Sequence, residues 1–86
     1  MIKYWTKTEN EPIRHAECNG VAFTARPWQS YFGKKANRTA IVGQVLLTWR
    51  VHIMETLANG KSKLIGQERF ANRDDAFRWA VTILKG

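Results

Sequence analysis

The sequence predicts an α+β fold: a four- to five-stranded antiparallel meander with one C-terminal helix packed on one face. Three observations predict it. Two Asn-Gly pairs, Asn19-Gly20 and Asn59-Gly60, lie between segments of alternating polarity, and tight hairpin turns need the positive φ that Asn and Gly tolerate. Leu47, Trp49, Val51 and Ile53 alternate with Thr48, Arg50, His52 and Met54, the period of a half-buried strand. The C-terminal segment is apolar at helical spacing and opens on a capping residue.

The elements follow in order. Residues 3–8 form an extra edge strand. A two-residue turn at Asn19-Gly20 pairs Ile13–Cys18 with residues 21–26. It sets Cys18 against Val21 and Ala16 against Phe23 on one apolar face, with His15, Glu17 and Thr24 opposite. Residues 27–43 have no clean period and read as a long exposed loop with one helical turn. Residues 45–58 read as a strand, although Leu46, Trp49, Ile53 and Leu57 also fit a helical stripe. With Asn59-Gly60 as a two-residue loop, Arg50 opposes Arg69, His52 opposes Gln67, Met54 opposes Ile65 and Thr56 opposes Lys63. Trp49 then opposes Phe70 on the other face. This register places Glu55 and Glu68 on the apolar face, and a bulge or longer loop would change it. Arg73–Lys85 is the helix. Asn72 caps it, Asp74 and Asp75 suit its positive end, and Asp74 pairs with Arg78. Ala76, Phe77, Ala80, Val81 and Leu84 form its apolar face.

The chain of 86 residues has the length of one small domain, residues 1–86. Hydrophobic residues make up 44% and aromatics 12%, which suits a collapsed core and not a disordered tail. Domains this small bury only about 60% of their unfolded surface, so a homodimer is a compatible arrangement. Lys and Arg number 14 against 7 acids, a net charge of +7. The excess is even between the two halves of the chain. It attracts polyanions and argues against an acidic mimic of DNA.

Two surfaces are candidates for a polyanion. The first is the face of Arg50, His52, Gln67 and Arg69, with Lys61 and Lys63 nearby. Its Arg50–Arg69 opposition costs a few tenths to about 1 kcal/mol, a cost that a bound polyanion would relieve. The second is the segment 26–38, where Arg26, Lys34, Lys35 and Arg38 surround Trp28, Tyr31 and Phe32. There the cations would neutralise phosphates and the rings would stack on bases or form an interface. The competing structural reading is that basic side chains decorate any solvated sheet and that Trp28 and Phe32 plug the edge of the core.

An enzyme is not expected. The chain has no nucleophile elbow, P-loop, GxGxxG or HExxH. His15 and Cys18 are three apart on a strand and point to opposite faces. One Cys and two His fall short of a structural zinc set. Nothing in the spacing of Glu9, Glu11 and Glu17 requires a metal. No cofactor is expected. Cys18 reads as a small core residue in a reducing compartment. No apolar run reaches membrane length and the N-terminus lacks a signal-peptide core. The expectation is therefore a cytoplasmic protein with no membrane association. Its favoured partner is nucleic acid, with DNA ahead of RNA. The alternative is an accessory or inhibitory protein of a phage, plasmid or other mobile element. That protein would bind an acidic partner, or itself, through aromatic and Arg patches.

The second half of the chain carries Trp49-Arg50-Val51-His52-Ile53, Asn59-Gly60-Lys61, Leu64-Ile65-Gly66, Phe70 and Asp75-Ala76-Phe77-Arg78-Trp79-Ala80. This order resembles the DNA-binding domains of plant ethylene-response factors and the N-terminal arm-site-binding domains of phage-type tyrosine integrases. Arg26-Pro27-Trp28 echoes a motif of the plant family. The resemblance implies three antiparallel strands in a major groove, backed by a helix. It implies that Arg50, His52, Lys63, Gln67 and Arg69 face the groove. Trp49, Ile53, Phe70, Ala76 and Ala80 would then join sheet to helix.

Overall fold

The computed structural model describes residues 2–8, 10 and 12–86. Glu9 and Glu11, weighed above as metal ligands, lie outside the described residues. Among the described residues, seven strands follow one another as a single antiparallel meander: β1 (Ile2–Lys7), β2 (Ile13–Cys18), β3 (Val21–Ala25), β4 (Tyr31–Lys35), β5 (Arg38–Val45), β6 (Thr48–Thr56) and β7 (Ser62–Phe70). One helix, α1 (Arg73–Lys85), closes the chain and packs across one face. The four to five strands expected from sequence are corrected to seven. Residues 27–43, expected as a loop, supply β4 and most of β5.

The β2–β3 hairpin turns at Asn19 (φ 50°) and Gly20 (φ 84°) and pairs Cys18 with Val21 and Ala16 with Phe23, as its turn residues require. The two missed turns use other residues. Ala36 (φ 54°) and Leu46 (φ 57°) hold the first position of the β4–β5 and β5–β6 turns, where Gly, Asn or Asp is the usual choice. The β6–β7 hairpin pairs Arg50 with Arg69, His52 with Gln67 and Trp49 with Phe70. A bulge after Ile53 then shifts the register, so that Met54 pairs with Leu64 and Glu55 with Lys63. The connection widens to residues 57–61, where Asn59 Oδ1 accepts from the Lys61 amide (3.0 Å) and the Gly60 amide donates to Leu57 O (2.9 Å).

The helix begins where its cap dictates. Asn72 Oδ1 accepts from the Asp75 amide (2.9 Å), satisfying one of the free donors of the first turn. The expected Asp74–Arg78 pair is replaced. Arg78 Nη1 donates to Asp75 Oδ1 (3.1 Å), and Asp74 Oδ1 instead accepts from the Tyr4 hydroxyl (2.8 Å). That bond ties the helix start to β1. Phe77 is fully buried and meets the rings of Tyr4, Phe23 and Tyr31 edge-on, at centroid distances of 5.6, 4.9 and 5.1 Å. Around it lie Ala16, Cys18, Ala40, Val42, Val51, Ile53, Ala76, Ala80 and Val81, all buried. Burial pushes the Cys18 thiol up, so it stays a protonated core group. No helix among the described residues is long and apolar enough to cross a membrane.

Candidate nucleic-acid interface

Because α1 covers one face, strand alternation sends every second residue to the other. The register aligns one continuous row across that helix-free face: Trp5, His15, Thr24, Phe32, Ile41, His52 and Gln67, one from each strand. Residues two positions away flank the row at about 7 Å, given about 3.3 Å of rise per residue. Lys3, Glu17 and Lys34 lie along one flank, with Met54 and Leu64 completing it. Lys7, Arg50 and Arg69 lie along the other. The face thus presents Lys3, Lys7, Lys34, Arg50 and Arg69 against the carboxylate of Glu17. Glu55, Asp74 and Asp75 are committed elsewhere, in contacts with Arg38, Tyr4 and Arg78. Glu68 pairs with Val51 in register and accepts from the Arg69 amide (3.1 Å), and it also borders the depression that Arg50, Gln67 and Arg69 line.

The rings of this row are accessible. Phe32 is 51% and Trp5 41% exposed. His15 lies parallel to the Trp5 ring, 5.3 Å away at 6°, which covers one ring face. β1 is an edge strand, so no neighbouring strand shields the outer side of Trp5. A depression of about 320 Å³ beside Phe32 is lined by Thr24, Arg26, Gln29, Ser30 and Ile41. A second, of about 230 Å³, lies among Arg50, Gln67, Glu68 and Arg69. His15 Nε2 and Arg50 Nε are enclosed and make no hydrogen bond among the described residues. Enclosed polar atoms of this kind are uncommon in native structures, and both sit on residues of this face.

The structure sorts the residues singled out from sequence. Arg50, His52, Gln67, Arg69, Lys34 and Phe32 are brought to the one face. Lys61 is exposed in the 57–61 connection, Lys35 is exposed at the end of β4 and Arg26 is exposed just beyond β3. Three assignments are corrected. Tyr31 is 4% exposed and packs on Phe77, so it is a core residue and has no free ring face. Arg38 Nε bonds Glu55 Oε2 (3.1 Å) and its Nη1 donates to Ile83 O (2.7 Å) in the last helical turn. It joins β5, β6 and α1 and suits the negative end of the helix. Lys63 pairs with Glu55 because the bulge turns it to the helix side.

Trp28 plugs nothing. The Gln29 amide donates to Arg26 O (3.0 Å), closing a turn with Pro27 second and Trp28 (φ 66°) third. That third position with positive φ ordinarily takes Gly, yet the Trp28 side chain is fully exposed. Arg14 Nη2 anchors the same turn by donating to Gln29 O (2.7 Å).

Sequence reasoning missed Lys3, Trp5, Lys7 and His15. The signal was present: Lys3-Tyr4-Trp5-Thr6-Lys7, read at period two, places Lys, Trp and Lys on one face. Among the described residues no three His, Cys, Asp or Glu side chains gather into a metal site. Comparison with protein-family models, with curated proteins and with solved structures finds no match.

Proposed function

We propose that this protein binds nucleic acid on the helix-free face of its sheet. The observation that carries the reading is the charge imbalance: among the described residues, Lys3, Lys7, Lys34, Arg50 and Arg69 share that face with Glu17, and Glu68 borders its Arg50–Arg69 end. Phosphates neutralised by these cations release counterions, so binding weakens steeply with salt. The exposed rings of Trp5 and Phe32 add apolar contacts that phosphate neutralisation does not supply. Nothing in this mechanism requires a cofactor or a catalytic group.

The test is a fluorescence-anisotropy titration with labelled oligonucleotides across a salt series. Micromolar affinity at low salt, lost on Arg50→Glu with Arg69→Glu, is the expected result. Affinity no better than millimolar, or affinity unchanged in the double variant, would end this reading.

A second reading, capture of another protein, is favoured by a separate feature. Trp28, Leu46 and Leu47 are exposed at the end of the sheet where the β3–β4 and β5–β6 connections lie. After nuclease treatment, a pull-down that recovers one stoichiometric partner, lost on Trp28→Gly with Leu47→Ser, supports that reading. Recovery of none opposes it.

A further inference from the structure

We infer that the nucleic acid taken by this face is single-stranded and crosses the strands along the central row, stacking on Phe32 and on Trp5. The inference rests on the reading of the face as a nucleic-acid site and goes one step further, to the form of the ligand. Two observations carry it.

The first is width. Seven strands about 4.8 Å apart make a face about 29 Å across, in a molecule measuring 38 × 29 × 24 Å. A major groove is about 12 Å wide. A narrow ribbon enters such a groove. A face with strands continuing on both sides of Phe32 does not, and the bases of a duplex would stay out of reach of that ring.

The second is the arrangement of the row. Base-stacking groups lie in the middle and cations lie on both sides, on the same strands. Trp5 stands between Lys3 and Lys7, Phe32 is two residues from Lys34, His52 two from Arg50, and Gln67 two from Arg69. Unstacked bases can meet the central rings while their phosphates meet the flanking cations. Trp5 and Phe32 are three strands apart, about 14 Å, room for the unstacked nucleotides that a flexible single strand supplies. His15, parallel to Trp5, holds that ring fixed for a base on its outer face. Thr24, His52 and Gln67 supply hydrogen-bonding edges along the same row. On a duplex the bases are already stacked on each other, and Trp5 and Phe32 would contribute nothing.

The experiment compares fifteen-nucleotide oligo-dT, oligo-rU and a mixed-sequence DNA duplex of equal length by anisotropy at low salt. Phe32→Ala, Phe32→Leu and Trp5→Leu are tested alongside the unmodified protein, each first confirmed folded by circular dichroism. The leucine variants keep an apolar group on the sheet and remove only the ring. The expected result is at least tenfold tighter binding of one or both single strands than of the duplex. Each ring variant should weaken single-strand binding about tenfold, the scale of one lost stack. It should leave the salt slope unchanged, because no charge is removed. Preference between oligo-dT and oligo-rU identifies DNA or RNA as the source. Duplex binding as tight as single-strand binding, or ring variants with unchanged affinity, overturns this inference and leaves the nucleic-acid reading standing. Binding of none of the three overturns both.

Discussion

Arg50 and Arg69 face each other on adjacent strands of the helix-free face, an opposition that costs a few tenths to about 1 kcal/mol. Arg50 carries a further cost, because its Nε is enclosed without an acceptor. A buried donor left unmet costs about 1–3 kcal/mol, and the half-exposed setting of Arg50 argues for the lower end. Arg50→Gln removes both the charge and the enclosed Nε. The expected gain is about 1 kcal/mol, or about 4–8 °C in Tm for a domain of this size. The same change removes one of five cations from the candidate site. For single strands the slope of log K against log salt is about −0.7 per neutralised phosphate, so five contacts give about −3.5 and four about −2.8. Raising salt fourfold should then weaken binding about 130-fold in the unmodified protein and about 50-fold in the variant. A thermal melt followed by circular dichroism reads the first quantity, and anisotropy titrations at four salt concentrations read the second. The opposite signs are the discriminating feature, since a merely structural arginine loses stability when replaced. A lowered Tm with an unchanged salt slope would refute the reasoning.

Three other outcomes follow from the structure. Gly33 is buried opposite Phe23, and an added Cβ would overlap the Phe23 ring, so Gly33→Ala should cost about 1–3 kcal/mol in urea unfolding. Trp28→Gly places the usual residue at φ 66° and buries nothing less. It should stabilise by about 0.5–1 kcal/mol after the entropy of the new glycine is set against the relieved backbone, and a lower urea midpoint would contradict this. Burial and the bond to Asp74 raise the Tyr4 hydroxyl above its ordinary value of 10.0. Its stabilising effect is therefore complete below pH 10 and declines as pH climbs toward the folded value. Tyr4→Phe should be less stable at neutral pH and should lack that part of the alkaline decline when melts are compared between pH 8 and about 11.

The elements that were legible in the sequence share one property: their local chemistry and their tertiary role agree. Asn19-Gly20 supplies the backbone its hairpin uses, Asn72 caps the helix it precedes, and the polar side of β6 faces away from α1. The strands that were missed lack this agreement. In β4, Tyr31 points in and Phe32 out, while the buried position between β3 and β5 is taken by Gly33. In β5, Ala40 and Val42 point in but Ile41 points out. Apolar residues on both faces erase the period-two signal. Ala36 and Leu46 hide the turns that would have separated the strands, because neither residue advertises a positive φ. The bulge after Ile53 was visible only as a difficulty, two glutamates on an apolar face; it sets Lys63 opposite Glu55 in register, and the β5–β6 pairing brings Arg38 to the Glu55 carboxylate.

Two of the residues that obscured the fold, Phe32 and Ile41, also distinguish its open face. A sheet with no further role on its solvated side gains nothing from an exposed Phe32, an Ile41 beside it or a Trp5 on an edge strand, where exposed apolar groups invite aggregation. Sequences depart from local rules mainly where another requirement acts. Besides the apolar group of Trp28, Leu46 and Leu47 at the end of the sheet, the departures on the open face fall together. Trp5, Phe32 and Ile41 fall on one row across the sheet, and the cations at spacing two on their strands fall on its flanks. Charge alone would be explained by solubility, and exposed rings alone by imperfect packing. Their alternation in one register is what the proposed ligand, itself alternately flat and anionic, would require.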